Sequence, residues 1–205
     1  MLTDFFNRWN FFAGKKALAV KCSIVIAVLE SYEAVRRQML YFYDLFDKHH
    51  VFKKTCRIIL VDDGSNPSLY KYLQKSMPFN FTAIITPDPS NGCTLITMNQ
   101  PSIPLMIIET HDTNPWTQPK ARNIGAAYAS GEYLFMTDID HILTHEAISA
   151  VLKFKGDRML FPRKTAILNK NGEICRERMI LMKYGYQKFN PEKSDSHVNT
   201  FAIKR

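Results

Sequence analysis

The sequence predicts an α/β domain with a mainly parallel central sheet, and three observations predict it. Short apolar, β-branched runs recur at Lys21–Leu29 (KCSIVIAVL), Cys56–Val61 (CRIILV), Pro104–Thr110 (PLMIIET) and Tyr133–Thr137 (YLFMT). Uninterrupted runs of this kind suit parallel strands covered on both faces. Stretches with helical spacing of apolar residues follow several of them across short loops, the alternation that builds strand–helix–strand units. The runs also end in polar clusters, where ligands of open parallel sheets bind. A length of 205 residues with 46% apolar content suits one domain able to bury a full core.

After the first run, Ser31 is placed to cap the helix SYEAVRRQMLYFYDLFDKHH, whose apolar residues recur at helical spacing. The second run passes into DDGSNPS, a turn whose side chains suit a helix start at Pro67, and residues 68–76 read as a short helix. Phe81–Thr86 reads as a strand and Pro87–Gly92 as a loop, while Cys93–Asn99 fits either an edge strand or part of that loop. Thr113–Pro119 is an irregular loop with two prolines. Pro119–Ser130 reads as a helix with Ala121, Gly125, Ala126 and Ala129 along one face, small enough for close approach to a sheet, and Gly131 as its C-terminal stop. A helix over 144–154, a strand over 159–162 and a hairpin over Ala166–Ile174 turning at Asn171-Gly172 follow, with the chain closing on HVNTFAIKR.

The net charge of +8 lies at one end: residues 1–150 carry 14 basic and 14 acidic residues, residues 151–205 carry 13 and 5. The basic quarter lacks the dense aromatic interleaving of a nucleic-acid motif, and suits a solvated surface or a patch for an anionic donor, acceptor or membrane face. No apolar run reaches the roughly 18 residues of a membrane span. The opening MLTDFFNRWNFFAGKKALAVK lacks a signal-peptide core. Residues 1–20 form an aromatic and basic extension that packs on the domain or dips into a membrane surface; residues 21–205 form the main domain. Cys22, Cys56, Cys93 and Cys175 show no C-x-x-C pair. Cys22 and Cys56 open apolar runs and read as buried free thiols, which favours a cytoplasmic setting.

The chemistry gathers at the predicted carboxyl edge of the sheet. Glu30 follows the first strand, Asp62 and Asp63 the second, and Asp138 and Asp140 the run YLFMT; Lys120 and Arg122 open the helix before it. In an extended chain residues i and i+2 point to the same side, so Asp138 and Asp140 are expected to converge on one hard cation. A buried pair of like charges without such a partner is costly. Taken singly, Asp62 also fits a turn cap and Arg122 a structural ion pair. His141 is a candidate ligand that suits Mn²⁺ better than Mg²⁺, although strand alternation points it away from Asp140. His197 is a second candidate, and His49, His50, His111 and His145 read as surface or capping residues.

The pieces SIVIAVLES, ILVDDGSNPS and KARNIGAAYASGEYLFMTDID, in this order over about residues 22–162, resemble the inverting family 2 glycosyltransferases of GT-A fold, a Rossmann-like nucleotide-diphospho-sugar transferase fold. The resemblance implies transfer of a sugar from a UDP-linked donor to an unknown acceptor. It implies backbone contacts to the base around Ala27 and Val28, where the family often has a proline at Ala27, and an Asp63 acceptor for a uracil N–H. It places Arg122 near the base or diphosphate and Asp138 at the ribose or metal-bound water. Asp140 would hold the divalent cation, Mn²⁺ or Mg²⁺. Family members continue past a strand like NTFAIKR into a Gly-Gly-x-Asp-Glu segment and an acidic pair that supplies the general base. The chain ends at Arg205, so the expectation is a donor-binding half without its acceptor half.

Three other classes compete. A haloacid-dehalogenase-type phosphatase also sets Asp-x-Asp after an apolar strand, but a Thr or Val normally stands where this chain has Ile142. A sugar-nucleotide pyrophosphorylase needs a glycine-rich loop after its first strand, and VLESYEAVRR has no glycine. A non-catalytic nucleotide-sugar-binding or interaction protein fits the missing general base.

Overall fold

A computed structural model of the chain describes residues 20–78, 82–98, 103–114, 118–162, 166–175 and 196–205. The opening extension, apart from its last residue, and the basic stretch 176–195 lie outside the described residues, as does the side chain of His197. Eight strands form one sheet: β1 (Cys22–Val28), β2 (Cys56–Asp62), β3 (Ala83–Asp88), β4 (Cys93–Met98), β5 (Leu105–Glu109), β6 (Tyr133–Asp138), β7 (Arg158–Pro162) and β10 (Ser196–Lys204). Among the described residues five helices accompany them: α1 (Tyr32–Lys48), α2 (His50–Thr55), α3 (Leu69–Ser76), α4 (Gln118–Tyr128) and α5 (His145–Lys153). The short strands β8 (Ile167–Leu168) and β9 (Ile174–Cys175) pair as the expected hairpin, with Gly172 at φ +83° in its turn.

The spatial order is β3-β4-β5-β2-β1-β6-β10-β7. The four apolar runs that announced the fold are its parallel centre, β5-β2-β1-β6. Antiparallel β4 and β10 flank that centre, so the sheet is mixed although its other six strands share one direction. Cys93–Met98 is therefore a strand, and β3 outside it is the edge. That position tolerates Pro87, which has no N–H to give a ladder.

Every residue of β1 is buried, which is why its sequence runs apolar without alternation. On one face Ile24, Ile26, Ile58, Leu60 and Phe135 pack against Met39, Phe42 and Phe46 of α1, Leu73 of α3 and Val151 of α5. On the other face, among the described residues, α4 is the helix that packs against Val25, Ile59 and Val61. A Cβ on Gly125 would sit 2.4 Å from Val25 Cγ1 and 2.8 Å from Val61 Cγ2, so the small-residue face of α4 is what lets it lie against the sheet.

Several local expectations need correction. Ser31 stands at the N-cap of α1, but its side chain makes no capping bond; its Oγ donates to the Leu29 carbonyl at 3.1 Å. Pro67 stays in the turn and α3 starts at Leu69. α4 ends at Tyr128, before Gly131, and Gly131 is not a left-handed cap. Its N–H donates to Ser23 Oγ at 2.9 Å, and a Cβ there would stand 2.5 Å from the Ser23 nitrogen, so glycine is required by close approach to β1. Cys22 and Cys56 are buried free thiols in register on adjacent strands. The hydrogen bond between them, and then burial, push the Cys22 thiol well above its ordinary range, which leaves it unreactive. No helix among the described residues is long and apolar enough to cross a membrane.

Candidate functional site

The carboxyl ends of β1, β2, β5 and β6 lie side by side, because those strands are parallel and adjacent. The turn after β2 is built first by Asp62. Its Oδ1 accepts from the Ser65 N–H at 3.0 Å and its Oδ2 from the Leu69 N–H at 2.7 Å, so one carboxylate closes the turn and starts α3. Burial pushes the Asp62 carboxyl up; the bonds from Ser65 and Leu69 oppose that, and Glu109 on the neighbouring strand adds to it. Gly64 adopts φ +90°, and a Cβ there would lie 2.0 Å from the Asp112 carbonyl oxygen. Only glycine satisfies both the left-handed backbone and that contact. Ser65 Oγ accepts from the Glu30 N–H at 2.9 Å, tying this turn to the end of β1.

Asp63 points to the opposite face from Asp62, as adjacent residues leaving a strand must. It is 3% exposed, its N–H donates to the Val28 carbonyl at 2.9 Å, and Thr110 Oγ1 donates to its Oδ1 at 3.2 Å. The positive charge of Lys120 is near enough for the Asp63 carboxylate to contribute to raising the Lys120 ammonium. The larger cause is Asp112, whose Oδ2 accepts from Nζ at 2.5 Å. That same bond, with those from Asn114, holds the Asp112 carboxyl down at about 2.

The turn after β6 has a different design. The strand ends at Asp138, and the His141 N–H donates to the Asp138 carbonyl at 3.1 Å, which closes a turn over Asp138–His141. Strand alternation therefore stops at Asp138 and does not carry His141 away from the aspartates. One ligand atom from each of Asp138, Asp140 and His141 lies within 4.8 Å of the others. Two carboxylates and an imidazole are a donor set that fits Mn²⁺, and the oxygens alone fit Mg²⁺.

Asp138 Oδ1 accepts from Gln118 Nε2 at 2.7 Å and from Arg122 Nη2, so both bonds fall on one oxygen and Oδ2 is the atom available to a cation. Both members of the Arg122–Asp138 pair are mostly buried, whereas the Asp140 side chain is 78% exposed. From the far side, Gln38 Nε2 donates to the carbonyls of Ile139 (3.1 Å) and His141 (2.6 Å), and the Tyr41 hydroxyl donates to that of Leu143 at 3.1 Å. α1 thus fixes the backbone that presents the candidate ligands.

A cavity of about 440 Å³ opens between the end of β1 and the turn after β6. Ala27, Val28 and Leu29 at the end of β1 line it on the strand side, with Ser31 beyond them; Gln118, Asp138 and Asp140 line it with Ile139 and Asn199. Of the sequence-predicted residues, Ala27, Val28, Asp138 and Asp140 reach the cavity, and His141 joins the aspartates. Arg122 arrives through Asp138. Asp63, Lys120 and Glu30 are not among the residues that line it, and Glu30 is exposed at φ +49°.

Gln38, Gln118, Thr110 and Asn199 were not singled out from the sequence. Gln38 alone gave a signal, as a polar residue within the apolar stripe of α1. No protein-family model matches the chain, and no curated protein matches it.

Proposed function

We propose that this chain binds a nucleoside-diphosphate sugar, UDP-linked, through a divalent cation, and acts as an inverting glycosyltransferase of the GT-A type toward an acceptor yet to be named. The observation that carries this reading is the cavity itself. Strand-end backbone at Ala27–Leu29 stands on one side of it and the cation-competent turn Asp138–His141 on the other. Its volume falls within the roughly 300–1,000 Å³ of small-ligand sites.

In this reading the planar base lies along Ala27 and Val28. Asp63, whose N–H is bound to the Val28 carbonyl, accepts from a base N–H after release from Thr110. Arg122 brings positive charge beside Asp138 without a strongly hydrated ammonium, which suits a diphosphate. Gln118 and Arg122 hold Asp138 in one orientation, so no rotamer search is needed when the donor arrives. A cation held by Asp138 and Asp140 would act as a Lewis acid for the negative charge that develops on the departing diphosphate.

One observation favours a second reading. Among the described residues lining the cavity, Asp138 and Asp140 are the only carboxylates, and neither is free to serve as general base if both hold a cation. A nucleotide-sugar-binding protein without transfer activity fits that arrangement. The deciding experiment is UDP release from UDP-sugars by the full chain with Mn²⁺. Transferase chemistry predicts slow donor hydrolysis that Asp140→Ala reduces at least about 100-fold. Metal-dependent UDP binding without hydrolysis selects the binding protein, and phosphate release from simple phosphomonoesters contradicts both.

A further inference from the structure

His141 is held in a way that the Asp-x-Asp spacing does not require. Its Nδ1 lies 2.5 Å from Thr200 Oγ1, and Thr200 Oγ1 lies 3.2 Å from Thr137 Oγ1. Both threonines are buried; Thr137 on β6 is itself 3.5 Å from Nδ1, and the closer contact from Thr200 on β10 exists because the last strand pairs beside β6. A hydroxyl both donates and accepts. Thr200 can therefore take a proton bond from Nδ1–H while giving its own to Thr137, and that tautomer leaves the lone pair on Nε2. Nε2 in turn stands 3.6 Å from Asp140 Oδ1. The gap is too long for a hydrogen bond. It is close to the separation of about 3 Å between adjacent ligands of one six-coordinate ion with bonds of about 2.1 Å. With the carbonyls of Ile139 and His141 both taken by Gln38, the turn cannot easily rotate the ring elsewhere. The ring is 20% exposed, so its edge is accessible while its body is fixed.

An ion pair between His141 and Asp140 explains less. Asp140 is mostly exposed, and exposed pairs of this kind contribute little. Nor would such a pair need the buried threonines. A metal-bound histidine, by contrast, typically gives its second ring N–H to an oxygen acceptor that sets tautomer and orientation.

We infer that His141 Nε2 is the third protein ligand of the cation at Asp138 and Asp140, with Thr200 the positioning residue that fixes its tautomer. The inference rests on the cation part of the proposed function and not on the sugar donor. Because imidazole binds Mn²⁺ better than the hard, oxygen-preferring Mg²⁺, His141 is the residue that sets the choice of ion.

The test titrates the full chain with Mn²⁺ or Mg²⁺ alone, without nucleotide, followed by the electron paramagnetic resonance signal of free Mn²⁺ and by calorimetry. Wild-type protein is expected to bind Mn²⁺ at least about ten-fold more tightly than Mg²⁺. His141→Ala should weaken Mn²⁺ by about ten-fold or more and Mg²⁺ by less than about two-fold, closing that gap. Thr200→Val keeps the shape, removes the hydroxyl, and should weaken Mn²⁺ by about ten-fold, the scale of a lost outer partner. His141→Gln serves if the alanine variant fails to fold, and should likewise lose the Mn²⁺ preference. An unchanged Mn²⁺ to Mg²⁺ ratio in folded His141 variants overturns the assignment, even where Asp140→Ala abolishes binding. Mn²⁺ binding that survives Asp140→Ala, or no Mn²⁺ binding by wild type at millimolar ion, overturns the cation part of the proposed function, and this inference with it.

Discussion

The turns after β2 and β6 start from the same ingredients, two aspartates at the carboxyl end of a buried parallel strand, and reach opposite states. After β2 the aspartates are adjacent, so they leave the strand on opposite faces. Asp62 gives both oxygens to the backbone of its own turn, and Asp63 is buried against Thr110. After β6 one residue separates them and the chain turns at once. Asp138 accepts from Gln118 and Arg122 on one oxygen, and Asp140 stays largely in solvent. The first turn shapes the edge of the site, and the second presents ligand atoms. Acidic residues at a strand end are therefore not equivalent: those whose lone pairs are taken by backbone N–H groups are architecture, and those left open are candidates for chemistry.

The largest effect that would sharpen this contrast is on stability. Asp62→Ala leaves two backbone N–H groups without their acceptor in a buried turn, and should cost about 2–4 kcal/mol in urea unfolding. Asp140→Ala removes an exposed side chain and should change stability by less than about 0.5 kcal/mol. Equal losses in the two variants would break the comparison.

Gln38→Leu comes next. It frees the carbonyls of Ile139 and His141 while keeping the volume in the apolar stripe, and should cost about 1–3 kcal/mol. Cation binding should weaken along with stability, because the turn that presents the ligands loses its anchor. A destabilised variant with unchanged Mn²⁺ affinity would show that α1 does not position the site.

Acid separates the turn after β2 from the loop after β5 that packs against it at Gly64. Lys120, together with the bonds from Asn114, lowers the Asp112 carboxyl from its usual 3.8 to about 2. A carboxyl lower in the folded than in the unfolded chain binds fewer protons when folded, so its contribution is full above about pH 4 and is lost as pH falls through 2. Asp62 is shifted upward, so protonation favours its folded form and its ionised form weighs against folding at neutral pH. In urea unfolding followed against pH, the gap between wild type and Asp112→Asn should be steady above pH 5 and close toward about pH 2. A gap that widens in acid would contradict the assignment of Lys120 to Asp112.

The smallest expected effect is that of Lys120→Ala. Its side chain is 58% exposed and its ion pair is screened by solvent, so the thermal midpoint should barely move. A large loss would mean that Lys120 supports the turn after β2 as well as its rim.

The parallel centre was legible because four runs are apolar on both faces, and α4 because Ala121 and Gly125 share a face that only a close-packed helix needs. The antiparallel strands were harder. β3 and β4 are short and carry Thr and Pro, and nothing in HVNTFAIKR shows that it inserts between β6 and β7. At the site, Asp138 and Asp140 were legible as residue types, but the turn after β6, and not strand alternation, brings them together, because the strand ends at Asp138. His141 was misplaced because strand alternation was extended past the residue where the strand ends. Thr200 and Gln38 act on the turn from 59 and 103 residues away along the chain, and no local pattern carries such partners. Asp62 and Asp63 looked alike in sequence because the backbone donors that separate them are fixed only when the turn closes.

The most direct test of a cation-assembled nucleotide site is calorimetric titration of the full chain with UDP, once with Mn²⁺ and once with EDTA. The account predicts binding in Mn²⁺ that weakens at least about ten-fold in EDTA, since the diphosphate would then meet Asp138 and Asp140 without a cation between them. Equal affinity under both conditions, or no UDP binding in either, would contradict it.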